Sequence, residues 1–166
     1  MQLYFARHGE SRNNSLEGHA HYYTRRIADP ELTPRGFEQA KRLAALVSSA
    51  GSPDSGRHRT SRNPWNHEGF EITHIYTSLQ RRALETANVI SNRIDLELFP
   101  WPDIHECGGV MEYDPERQSF HGGKGATAVE LAEWAPRLSP ENVVGPAVRS
   151  DGWWAGREIE SRDASA

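Results

Sequence analysis

The chain has 166 residues and 36% hydrophobic side chains, with 19 lysines and arginines against 23 aspartates and glutamates, for a formal net charge of -4. That length suits a single domain over residues 1–166, and the acidic balance supplies no dominant basic face for nucleic acid. The lone cysteine, Cys107, excludes an internal disulfide or a thiolate zinc cluster, and without a long apolar run no membrane partner is expected, so the expected location is cytoplasmic.

Gln2–Ala6 reads QLYFA, a short apolar and aromatic run that predicts a buried strand opening into the polar loop Arg7-His8-Gly9-Glu10-Ser11. Residues 13–31 carry no clear period and read as loop. Leu32-Thr33-Pro34 then starts a helix over residues 34–49. Thr33 stands at the N-cap, Pro34 occupies the first helical position where a missing N–H does no harm, and Phe37, Ala40, Leu43, Ala44 and Val47 follow at helical spacing. Residues 50–68 hold almost no apolar side chain and predict a solvent-exposed insertion, with Arg57, Arg59 and Arg62 as a modest basic patch.

Ile72–Thr77 is β-branched and strand-like, and it runs through Ser78 into a helix from Leu79 to Arg93 whose apolar face is Leu79, Ala83, Leu84, Ala87 and Ile90. Leu96–Phe99 predicts a third strand, closed by Pro100 and Pro102. Glycines and charges from Asp103 to Gly125 predict an active-site loop or lid, followed by a short helix near Thr127–Trp134, a Pro-rich linker over Leu138–Asp151 and a last helix near Gly156. Strand and helix alternate, the signature of an α/β domain with a largely parallel sheet. Ligands in such sheets bind at the carboxyl ends of strands, where the loops after Ala6 and Thr77 fall.

Arg7-His8-Gly9 follows the first predicted strand, and Ser11 and Asn14 add neutral hydrogen-bond donors within one turn of chain, a set suited to a phosphate. Together with Glu10, these residues resemble the first motif of the histidine phosphatase superfamily (phosphoglycerate-mutase-like). Leu32-Thr33 with Gly36, Gln39 and Ala40 is similar to the family's second motif. Ser78, Arg82, Ala83, Thr86 and Ala87 are similar to its third, with Leu79 where proline is usual.

The resemblance implies an α/β three-layer sandwich, its mostly parallel central sheet flanked by helices and lacking its last strand. It also implies a phosphomonoester hydrolase that works through a phosphohistidine on His8. Arg7, Asn14 and Arg82 would bind the phosphate, and Glu106, within Ile104-His105-Glu106, would donate the proton to the leaving group. Arg82 aligns with the family's phosphate-binding arginine, and its neighbour Arg81 reads as a surface charge on the helix. The implied partner is a small phosphorylated substrate or a phosphate ion, with no cofactor, no metal, and a homodimer as an allowed assembly.

The chemistry is self-consistent. Arginine's planar fork binds phosphoryl oxygens bidentately, nearby cations keep His8 neutral and able to attack phosphorus, and desolvation of Glu106 would raise its pKa enough to protonate an alcohol. A phosphoglycerate mutase shares this machinery but returns the phosphoryl group to a second hydroxyl. The family's second histidine has no counterpart after His121, and His121-Gly122-Gly123 follows PERQSF, which is not strand-like. The chain therefore reads as shortened, and a non-catalytic phosphate-binding or interaction module is a further alternative. His19, His21, His58 and His67 offer a metal-binding pattern, but they fall in polar stretches with no fixed geometry, so solvent-exposed side chains are expected there.

Overall fold

The computed structural model describes residues 1–48, 70–139, 148 and 150–157. The predicted insertion, its arginine patch, His58, His67 and the body of the predicted last helix lie outside them.

Two four-residue helices, α1 (Arg12–Ser15) and α2 (Tyr22–Arg25), interrupt the stretch predicted as loop. The first forms because Ser11 and Asn14 make a capping box: Ser11 Oγ accepts the Asn14 N–H at 3.3 Å, and Asn14 Oδ1 accepts the Ser11 N–H at 3.1 Å. One turn is too short to show a hydrophobic period. Helix α3 (Pro34–Ser48) matches its prediction, with Thr33 Oγ1 accepting the Gly36 N–H at 3.1 Å. It buries Gly36, Ala40 and Ala44 and packs on α4 (Arg81–Ile94), which buries Leu84 and Ala87 together with the polar Arg82, Glu85 and Thr86.

Strand β1 (Ile75–Thr77) runs into α4, and β2 (Leu98–Pro100) lies parallel to β1 in the register Ile75↔Leu98, Tyr76↔Phe99 and Thr77↔Pro100. The predicted lid contains an antiparallel hairpin, β3 (Met111–Asp114) and β4 (Ser119–Gly122), closed by Asp114 Oδ1 accepting the Glu116 and Arg117 N–H groups. Its strands alternate apolar and polar residues, Met111-Glu112-Tyr113-Asp114 and Ser119-Phe120-His121, but at four residues each they are too short for the alternation to stand out among the surrounding glycines and charges. Helix α5 (Ala128–Trp134) follows, started by a Thr127–Glu130 capping box.

The fold is α/β, with one parallel and one antiparallel strand pair among the described residues. Gln2–Ala6 departs from its expected buried strand: it is not extended into any sheet, and Leu3 and Phe5 are 69% and 91% exposed. A strand persists only where neighbours take up its backbone N–H and C=O groups, and among the described residues β1 pairs with β2 alone.

The core gathers elsewhere, around Leu79, Leu84, Leu98, Val110, Leu131, Trp153 and Trp154, none more than 2% exposed. The two tryptophans sit beneath the hairpin, in the stretch predicted to join a linker to the last helix. Gly109 allows this: its φ of +65° suits glycine, and a Cβ there would strike the Trp154 ring.

Candidate active site

Three segments converge on His8: its own loop, the start of α3 and the first turns of α4. Gly9 N–H donates to Thr86 Oγ1 at 3.1 Å, and Thr86 Oγ1 in turn donates to the Arg82 carbonyl at 2.7 Å. Glu10 N–H donates to Gln39 Oε1 at 2.7 Å, and Thr33 bonds back to Glu10, from its N–H to the carbonyl at 2.9 Å and from Oγ1 to Oε1 at 2.8 Å and to the carbonyl at 3.3 Å. Gly9 and Gly36 make this approach possible, since a Cβ on Gly9 would run into the Gly36 backbone and one on Gly36 into the Glu10 backbone.

His8 is held in one protonation pattern. Nδ1 lies 2.6 Å from the Gly9 carbonyl, which can only accept, so Nδ1 carries the proton. Nε2 keeps its lone pair and accepts the Arg82 Nε–H at 3.2 Å. Burial holds the His8 pKa below its ordinary 6.5, the Gly9 carbonyl opposes this, and the charges of Arg82 and then Arg7 add to the lowering against Glu106. The direction is the one expected from the sequence. Its leading cause is desolvation and not the two cations.

Arg82 is only 7% exposed. Beyond the bond to His8, its Nη2 donates to Gln80 Oε1 at 2.8 Å and to Glu106 Oε2 at 2.7 Å. Glu106 itself is 68% exposed along its side chain, so the desolvation expected of it is not present here. Arg7, exposed, lines a cavity of about 240 Å³ with His8, Gly9, Gln39, Ala40, Leu43 and Thr86. That space admits a phosphate group. A larger, open groove of about 550 Å³ runs beside His121–Lys124 and Ala155–Arg157 and includes neither Arg7 nor His8, which both line the smaller cavity; Arg82 lines neither and reaches the smaller one through His8 Nε2.

A family profile, that of the histidine phosphatase superfamily (branch 1), matches residues 3–61, the span that carries His8, Thr33, Gly36 and Gln39. A relative 26% identical over 133 residues is the 2,3-bisphosphoglycerate-dependent phosphoglycerate mutase of Treponema denticola. Over these residues the chain is similar to the histidine phosphatase superfamily. The match covers 80% of this chain, which spans 41% of the length of that curated relative. No solved structure matches it.

Not every residue the histidine phosphatase resemblance singled out reaches His8. Asn14 is committed to the α1 cap, and its Nδ2 donates to Glu17 Oε1 at 2.9 Å. Arg81 turns away from the cavity: its Nε donates to Glu85 Oε1 at 2.8 Å, and its guanidinium lies 4.8 Å over the Trp134 ring. It is half-buried and ties α4 to α5, a firmer role than the surface charge expected. His19, His21 and His121 are exposed.

Two residues around Arg82 escaped the sequence reading. Gln80 is 3% exposed and receives Arg82 Nη2, and Asp29 Oδ1 accepts the Arg81 N–H at 2.8 Å, capping α4 from a distant loop. Burial and the pull of Glu85 raise the Asp29 pKa from 3.8 to about 6, against the Arg81 N–H bond and the charges of Arg82 and Arg81. Gln80 left one faint signal, a polar side chain inside an otherwise buried run. Asp29-Pro30 reads only as a turn.

Proposed function

We propose that this chain takes a phosphoryl group from a small phosphomonoester onto His8 Nε2 and then passes it to water. The observation that carries the reading is the single-protonated His8, its Nε2 lone pair directed at a buried arginine beside a phosphate-sized cavity. In the first step the Nε2–P bond forms, the ester P–O bond breaks, and the departing oxygen takes a proton from Glu106. In the second, Glu106 takes a proton from water, the new O–P bond forms, and the N–P bond breaks.

Arg82 and Arg7 bind the phosphoryl oxygens, with Asn14 contributing once its amide leaves Glu17. A phosphoryl oxygen arriving at Arg82 Nη2 takes the place of Glu106 Oε2, and the freed carboxylate takes up a proton from solvent or from the phosphomonoester monoanion before passing it to the leaving oxygen. Fixed cations at the developing charge supply the larger share of catalysis, and the acid–base step about 10²–10⁴ in rate. The same reading carries the three-layer sandwich, with β1 and β2 as the parallel part of its central sheet.

The named relative favours a second reading, in which the phosphoryl group returns to a hydroxyl of a second substrate molecule. The two share the first step. Incubating the full chain with p-nitrophenyl phosphate and analysing the His8 peptide by mass spectrometry tests both: an acid-labile phosphoryl adduct on His8 is expected, and it is lost in His8→Ala. Release of inorganic phosphate with no acceptor present marks hydrolysis, and release only after adding a hydroxyl acceptor marks the mutase. Binding of phosphate esters with no adduct marks a non-catalytic module, and unchanged turnover by His8→Ala overturns the proposal.

A further inference from the structure

We infer that Gln80 is a positioning residue, a buried amide that aims Arg82 and couples it to the turn bearing Glu106. The inference deepens the phosphoryl-transfer reading and rests on it for its functional meaning. Gln80 stands at the N-cap of α4, yet its side chain makes no capping bond. Asp29 accepts the Arg81 N–H there instead, which releases the Gln80 amide for other work. Its oxygen accepts Arg82 Nη2 at 2.8 Å, and its Nε2 donates to the Gly109 carbonyl at 3.3 Å.

Gly109 closes the turn that begins at Glu106, its N–H donating to the Glu106 carbonyl at 2.9 Å. A single amide therefore spans from the guanidinium beside His8 to the turn that carries the carboxylate on the same guanidinium. The backbone of Gln80 is itself fixed, since its N–H donates to Ser78 Oγ at 3.3 Å and its carbonyl accepts the Ala83 and Leu84 N–H groups. Arginine's side chain has many rotamers, and Arg82 would otherwise be oriented only by His8 and by an exposed carboxylate. With Gln80 in place, Nη2 is held even when a phosphoryl oxygen displaces Glu106. A hydrophobic residue of similar size would leave both an Arg82 N–H and the Gly109 carbonyl buried without partners, a loss large enough to reorient the guanidinium.

The test compares the wild type with Gln80→Leu and Gln80→Glu, taking Thr127→Ala, which breaks the α5 cap, as a control for destabilisation alone. Two quantities are read: the Arg82 Nε–H resonance by NMR, and the dissociation constant for inorganic phosphate. In Gln80→Leu the Arg82 signal collapses to the position of exposed arginines, and phosphate binds about tenfold more weakly. Gln80→Glu keeps the oxygen that receives Nη2 and so keeps the Arg82 signal, which decides the matter should Gln80→Leu not fold. Thr127→Ala lowers the melting temperature and changes neither readout. A folded Gln80→Leu with the wild-type Arg82 signal overturns the inference, as does a folded Gln80→Glu without that signal. Should the wild type bind no phosphate while Gln80→Leu still shifts the Arg82 signal, the phosphoryl-transfer reading fails and the positioning stands.

Discussion

The ground around His8 and the ground around Glu106 are built on opposite plans. Near His8 the polar groups are bonded across elements, from the buried Gly9–Thr86 pair out to the exposed Glu10–Gln39 pair, with Glu10 to Thr33 and His8 to Arg82 half-buried between them. Near Glu106 the carboxylate is 68% exposed, and the hairpin that follows is anchored at its base on Trp154 and along its strands on Tyr23 and Arg26. The indole N–H groups of Trp153 and Trp154 are enclosed with no partner among the described residues, so the base is held by packing and not by directed bonds from the indoles. The contrast teaches a division of labour. Under the proposed reaction, His8 and its arginine gain from being placed before substrate arrives, whereas Glu106 exchanges protons with solvent from an exposed turn and would be desolvated only once substrate covers it.

The sharpest way to break this comparison is at the two adjacent arginines. Arg82→Ala is expected to lower turnover of p-nitrophenyl phosphate by about 10²–10³. Arg81→Ala, which removes the Glu85 bond and the stacking on Trp134, is expected to cost about 1 kcal/mol of stability by thermal unfolding while changing turnover little. Equal losses of turnover would erase the distinction between them.

A smaller effect is expected at the exposed turn. Glu106→Gln should slow turnover by about 10² while inorganic phosphate binds at least as well as in the wild type, because the arginine loses a competing carboxylate. Weaker phosphate binding in this variant would show that Glu106 helps to place Arg82.

At the Asp29 cap the expected effect is one of pH and falls on stability, not turnover. Its folded pKa of about 6 lies above the 3.8 of an unperturbed aspartate, so between those values the folded chain holds more protons than the unfolded one, and stability falls as pH rises through that window. The full span corresponds to roughly 2–3 kcal/mol. Asp29→Asn retains an oxygen for the Arg81 N–H and removes the titrating group, so its melting temperature should vary less with pH over this window. An unchanged slope would mean that Asp29 is better solvated than its enclosed, unpartnered Oδ2 implies.

Much of the first region was legible because its signals are local. Thr33-Pro34 and the apolar spacing of α3 announce a helix start and its buried face within a dozen residues, and the fold keeps both. Arg7-His8-Gly9 and Ser78–Thr86 were readable as motifs, although the glycine at position 9 answers to Gly36 across the interface more than to the imidazole beside it. The hairpin was hidden since its alternation runs for only four residues in each strand. Gln2–Ala6 misled for the converse reason: its composition is that of a strand, but a strand is completed by partners, and none of the described strands pairs with it.

By itself the sequence determined what is encoded within a few residues of chain: helix starts, apolar faces and the order of the motifs. The tertiary structure decided what depends on groups far apart in the chain. It set Arg82 and not Arg81 against His8, turned the Gln80 amide from capping to bridging, drew Asp29 across to cap α4, and made burial the main cause of a neutral His8. The reason is physical: propensity and capping act through neighbouring peptide units, but hydrogen-bond partnership and desolvation are fixed only when distant segments exclude water from one another.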